Sequence, residues 1–95
     1  MKMIYKYPLE PGQKQLRTYH GMEPLGAYDQ NGIPMLYCIV DTDEETEDVD
    51  IRVLGTGHEF PAGSWEHLGT AVGSPYVWHV FKRRLHETRE NEDHV

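Results

Sequence analysis

Apolar and polar positions alternate along this chain in short, repeatedly interrupted runs. Segments of period-two alternation are separated by Gly, Pro, Asn and Asp, and no 3.6-residue periodicity develops before the C-terminal stretch. The pattern predicts an all-β protein, either a small antiparallel β-sandwich or a partly open barrel. Residues 2 to 8 set Met3, Tyr5 and Tyr7 against Lys2, Ile4 and Lys6, as a strand with one better-buried face would. A weaker strand surrounds Leu16 over residues 15 to 19. Asn31-Gly32 supplies the two positive-φ residues that a type I′ hairpin turn demands, so residues 25 to 30 and 33 to 40 become its arms. Pro34 lacks a ladder donor, which predicts a sheet edge at that end. Residues 35 to 40 read as a central strand covered on both faces, and residues 49 to 54 as its antiparallel neighbour. Leu36 or Tyr37, Ile39, Val53 and Trp78 should then be mostly buried. Further strands are expected near residues 66 to 72 and 76 to 82. A brief helix is compatible with residues 82 to 90, and residues 87 to 95 read as a polar, flexible tail behind a single domain spanning 1 to 86.

Several short motifs give this pattern an identity. Ile4-Tyr5-Lys6-Tyr7-Pro8-Leu9, Gly55-Thr56-Gly57-His58-Glu59-Phe60-Pro61, His67-Leu68-Gly69-Thr70 and Val77-Trp78-His79-Val80-Phe81 follow one another in that order. In this the chain resembles a family of short, uncharacterised proteins encoded by tailed bacteriophages. The resemblance implies an accessory protein working in the cytoplasm of the infected bacterium. It implies no assigned activity and carries over no catalytic residues.

Composition narrows the function classes. Ninety-five residues suffice for one modest core but not for a two-domain enzyme with a cleft between domains. No apolar run approaches the roughly 20 residues that span a bilayer, and the start of the chain lacks a secretory pattern, so no membrane partner is expected. Cys38 is the one cysteine and lies in an apolar run, which predicts a buried structural thiol rather than a nucleophile. The net charge is −7, and its excess is local: seven of the 16 acids fall in residues 41 to 50, leaving nine acids against nine Lys and Arg elsewhere. Direct nucleic-acid binding is disfavoured, since Lys82-Arg83-Arg84 is the one basic cluster.

Three kinds of chemistry compete for the remaining residues. The acidic segment reads as a hairpin loop in which Asp43, Glu44, Glu45, Glu47 and Asp48 present negative potential to a protein with a basic surface; a solvated turn is the plain alternative. An EF-hand is not matched, because the central glycine and terminal glutamate are missing. Gly55, Thr56, Gly57 and His58 form a glycine-rich segment able to present N–H groups to an anion, with Trp65 and Trp78 (and Tyr5, Tyr7 and Tyr76) as flanking rings for a nucleotide-like ligand. Tight-turn glycines explain the same segment without a ligand. A metal-assisted hydrolase would use His58 and His67 with Glu59 and Glu66, but their spacing matches no zinc motif, so no metal and no cofactor is expected. His79 lacks a motif-spaced nucleophile or orienting acid and reads as a satisfied core histidine. The favoured reading is a non-enzymatic protein-binding accessory factor.

Overall fold

The computed structural model describes residues 1–84. Seven strands follow in order: β1 (Lys2–Pro8), β2 (Gln15–Tyr19), β3 (Glu23–Gln30), β4 (Ile33–Asp41), β5 (Thr46–Gly55), β6 (Trp65–Val72) and β7 (Val77–Arg83). They form two antiparallel sheets, one ordered β1-β4-β3 and the other β2-β5-β7-β6. The all-β expectation holds, as a sandwich rather than a closed barrel. Lys82 and Arg83 belong to β7, Arg84 is neither strand nor helix, and residues 85 to 90 of the suggested helix, like the tail 87 to 95, lie outside the described residues.

The Asn31-Gly32 turn forms as its chemistry demands. Asn31 and Gly32 take φ values of 55° and 86°, and Gln30 pairs directly with Ile33. The neighbouring expectation fails: β4 and β5 are not paired. Both edges of β4 are already taken by β1 and β3, and β5 lies in the other sheet between β2 and β7. The turn at residues 42–45 therefore carries the chain from one sheet to the other. Alternation gave both strands one apolar face, and those faces meet across the sandwich instead of lying edge to edge. Leu36, Cys38 and Val40 from β4 share one core with Val49, Ile51 and Val53 from β5.

Two smaller corrections follow. Pro34 is not on an edge strand; it stands near the beginning of the central strand, where its carbonyl accepts from Leu9 N (2.9 Å) just beyond the last residue of β1. Nor is β4 covered on both faces, because Met35, Tyr37 and Ile39 are half-buried on the outside. Leu36 and Val53 are buried as expected, whereas Ile39 and Trp78 are half-buried. Cys38 is fully buried, and loss of water pushes its thiol up to about 11, so it is not a ready nucleophile.

The two long sides of the sandwich are closed differently. On one side, Tyr7 of β1 bonds its hydroxyl to Thr18 of β2 at 2.8 Å, with Tyr5 packed edge-on to Tyr19. This satisfies Thr18, the buried polar side chain of the core. On the other side β3 and β6 come together backbone to backbone. Each strand has a register shift there, between Pro24 and Gly26 in β3 and between His67 and Gly69 in β6. A Cβ on Gly69 would lie 2.4 Å from the Ala27 nitrogen and 3.1 Å from the Gly26 carbonyl carbon.

Gly69→Ala is accordingly expected to destabilise the domain by about 1–3 kcal/mol, because the obstructing atoms are main chain and cannot rotate away. Gly12→Ala supplies the control, as its added Cβ meets nothing within 4 Å and incurs only positive-φ strain. Denaturant melts in which Gly69→Ala is no less stable than Gly12→Ala would contradict the seam.

Candidate functional site

The ten residues of β5 separate the two sites that sequence reasoning nominated. At about 3.3 Å per residue the acidic turn and the glycine-rich turn stand roughly 30 Å apart, at opposite ends of the sandwich.

At the acidic end the structure supplies partners from elsewhere in the chain. Thr46–Gly55 is strand, so Glu47 and Asp48 lie in the ladder and only residues 42–45 form the turn. That half of β5 pairs with β2, which brings Arg17 to Asp48 at 3.4 Å and sets His20 Nδ1 3.2 Å from Glu47. Asp50 is met by Arg83 at 3.3 Å. The Met1 amine lies 2.6 Å from Asp43 and 2.9 Å from Asp41. The segment is thus not the uncompensated row of carboxylates that its sequence suggests. Glu44 and Glu45 are exposed carboxylates for which no ion pair is found among the described residues.

At the other end, Gly55 to His58 close a tight turn in which His58 N–H donates to the Gly55 carbonyl (3.0 Å). The Gly55 N–H donates to His58 Nδ1 (3.0 Å), which selects the tautomer that carries its proton on Nε2. Two of the N–H groups that an anion nest would need are therefore spent within the turn. His58 lies against Trp78 with ring centroids 5.9 Å apart, and Trp78 lies 6.0 Å from Tyr76. Gly55, Thr56, His58, Pro75, Tyr76, Val77 and Trp78 line a groove of about 430 Å³. Four of the six nominated ligand residues thus line one groove, and Gly57 shapes its turn with φ 94°. Trp65 does not join them. It pairs with Arg83 at the far end of β7, where the Arg52 and Arg83 guanidinium groups both lie over its ring, 4.7 and 4.8 Å from the centroid. Tyr5 and Tyr7 are likewise elsewhere, packed against the core.

His67 and His79 stand on the outer face of the four-stranded sheet. His79 is not in the core: its Nε2 lies 2.9 Å from Thr56 Oγ1 and its Nδ1 3.2 Å from Thr70 Oγ1, which in turn lies 2.9 Å from His67 Nε2. His67 packs on Phe81, with ring centroids 5.1 Å apart. Among the described residues no group of three or more His, Cys, Asp or Glu could hold a metal ion. The His67-Thr70-His79 connection was hidden in the sequence, since it depends on the β6 register shift that sets Thr70 opposite His79.

Sequence reasoning also missed a third surface. The outward side of β1-β4-β3 carries Ile4 beside Ile39, Tyr28 beside Met35, and Ile33 and Tyr37 along the central strand. Ile4, Tyr28 and Ile33 are 66%, 57% and 45% exposed. Tyr28 lies over Gly26 and packs edge-on to Tyr37 at 5.5 Å. Lys2 and Lys6 flank the stripe along β1, and its Ile39 end opens onto a shallow hollow shared with Glu23, Asp41 and Glu44.

A family model described as a domain of unknown function (DUF7352) matches residues 1–91. The chain belongs to that family. No match is found among curated proteins or among solved structures. The DUF7352 domain of this chain presents an acidic end, an aromatic groove and an apolar sheet face.

The ion pairs at the acidic end make a pH prediction. The Asp43 and Asp41 carboxylates hold the Met1 amine above its ordinary range, and the amine holds Asp41 below the ordinary carboxylate range. The stabilisation is present above the ordinary carboxyl value and below the ordinary amine value. It is lost as pH falls through the depressed Asp41 value or rises through the elevated amine value. Asp41→Asn should therefore flatten the loss of melting temperature below about pH 4. Superimposable acid limbs for the two proteins would show that Asp41 contributes no linkage.

Proposed function

We propose that this DUF7352 domain is a non-enzymatic binding protein that engages another protein through the outer face of its three-stranded sheet. The observation that carries this reading is the apolar stripe of Ile4, Tyr28, Ile33, Met35, Tyr37 and Ile39. A two-sheet sandwich normally alternates apolar-in and polar-out along each strand. Here β4 is apolar on both sides, with Leu36, Cys38 and Val40 inward and Ile33, Met35, Tyr37 and Ile39 outward. A contiguous outward patch of this kind with a charged rim is the usual form of a protein contact.

The partner has an apolar centre and basic groups where it meets Glu44 and Glu45. Glu44 lies at the rim of the face, in the hollow that contains Ile39, and Glu45 follows it in the turn; Asp43, Glu47 and Asp48 contribute less because each already has a contact within the chain. Rim charges govern the rate of encounter more than the lifetime of a complex, so the acidic turn steers while the sheet face holds. The resemblance of the motifs to tailed-phage proteins supports an accessory role in the cytoplasm of an infected bacterium, with a host or phage protein as target.

The test compares two surface variants with the native chain as bait in extracts of infected cells. Ile4→Lys with Tyr28→Lys should abolish capture of the partner while leaving the fold intact, as exposed positions tolerate substitution to within about 0.5 kcal/mol. Glu44→Gln with Glu45→Gln should slow association at low salt and reduce its salt dependence, with little effect on dissociation. Capture that survives the sheet-face variant would overturn the proposal. So would native protein that sediments as a dimer, with dissociation by that variant and no heterologous partner, since the stripe would then be a self-association surface.

A further inference from the structure

The groove at the glycine-rich end differs in character from that face, which its adjoining hollow approaches at Asp29 and Gly32, next in the chain to Tyr28 and Ile33. Its volume of about 430 Å³ falls within the range of small-molecule sites, about 300–1,000 Å³. Its rings are splayed rather than stacked on one another: Tyr76 and Trp78 meet at 41°, His58 and Trp78 at 62°. Tyr76 is 66% exposed, so its ring surface is open to a ligand. The arrangement depends on a missing side chain. A Cβ on Gly55 would come within 3.0 Å of His58 Cε1 and 3.1 Å of Trp78 Cζ3, so glycine is what lets the imidazole rest against the indole.

The polar groups select the ligand's charge. Gly55 N–H and His58 N–H are both consumed within the turn, and among the described residues no Lys or Arg lines this groove or the hollow that adjoins it. The adjoining hollow, of about 250 Å³, shares Tyr76 and Trp78 with the groove and is lined by Asp29, whose Oδ2 accepts from Gly32 N–H at 3.3 Å. A phosphate would thus meet a fixed negative charge with no cation to offset it. A planar, uncharged heteroaromatic suits every feature. It can stack on the aromatic faces, take a hydrogen bond from His58 Nε2–H, and give an amino or hydroxyl proton to Asp29.

We propose that this groove binds an uncharged nucleobase or nucleoside, held by Trp78, Tyr76 and His58 with Asp29 as acceptor, and that it discriminates against phosphorylated forms. The assignment departs from the phosphate-cradling role that the glycines alone suggest. It uses none of the side chains of the protein-binding stripe.

Titration with adenosine, guanosine, cytidine and uridine, and with their 5′-monophosphates, tests it. The chain has two tryptophans, and Trp65→Phe leaves Trp78 as the reporter in the groove. At least one nucleoside should quench that emission saturably, with heat on mixing in calorimetry, and its monophosphate should bind about tenfold more weakly. His58→Phe should weaken the nucleoside, and Asp29→Asn should narrow the gap between nucleoside and monophosphate; melting curves check that both variants fold. The proposal is overturned if none of the four nucleosides binds at millimolar concentration, if a monophosphate binds as well as its nucleoside, or if His58→Phe leaves binding intact.

Discussion

Everything in this fold is organised around one place where two main chains touch without a side chain between them. Gly69 of β6 lies so close to Ala27 of β3 that even a methyl group would fall on the Ala27 nitrogen. The register shifts in both strands sit at this crossing, which is consistent with their purpose. A bulge sharpens strand twist and bend, and two facing bulges let the edges of separate sheets converge without continuing the ladder. The sandwich is therefore pinned on that side by backbone and on the other by the Tyr7–Thr18 hydrogen bond. Its loop end inherits the geometry. The Asn31-Gly32 turn that follows β3 and the turn that follows β6 border one recess, where a Cβ on Gly73 would meet Asp29 Oδ1 at 2.7 Å.

The distribution of apolar side chains separates stability from recognition. The buried core is almost wholly aliphatic: leucines, valines, one isoleucine, two alanines and Cys38. The aromatic rings lie mostly at its margins or on the outer surfaces, with Tyr28 and Tyr37 on one sheet, Phe60 and Phe81 on the other, and Tyr76 and Trp78 at the loop end. A chain of this size has little apolar surface to spare for its interior. Leaving large rings and isoleucines outside is physically sensible where they meet something else. The same division explains why the acidic end reads differently in three dimensions. Asp43 and Asp48 are drawn into exposed ion pairs with the Met1 amine and Arg17, and Glu47 lies beside His20, so part of their charge is met within the domain.

Local signals in the sequence were reliable, and relations between distant segments were not. Alternation located the strands to within a few residues, and the demand for positive φ located the Asn31-Gly32 turn. Alternation reports that a strand has an apolar face, however, and does not say whether the next strand lies beside it or across from it. A short polar connection between two such strands looks like a hairpin in either case, which is why β4 and β5 were expected to pair. The acidic segment misled for a related reason, since Arg17 and His20 reach it through β2 pairing and Arg83 through the sheet beyond. At the candidate groove, Gly55, Thr56, His58 and Trp78 were legible as neighbours of turn and strand end. Trp65 was assigned to the same place because composition counts rings without positions. The apolar sheet face was written in the sequence as well, in the unbroken run from Met35 to Val40, but was read as burial on both sides.

The packing of β3 against β6 is the element on which these placements rest, and it has a direct observable. In a nuclear Overhauser spectrum of the labelled protein, the Gly69 α-protons should give a strong cross-peak to the Ala27 amide proton, with no α-proton contacts between residues 35–40 and 49–54 of the kind paired strands produce. Absence of the first cross-peak together with a ladder between those two segments would contradict the sandwich described above and restore a single continuous sheet through the acidic turn.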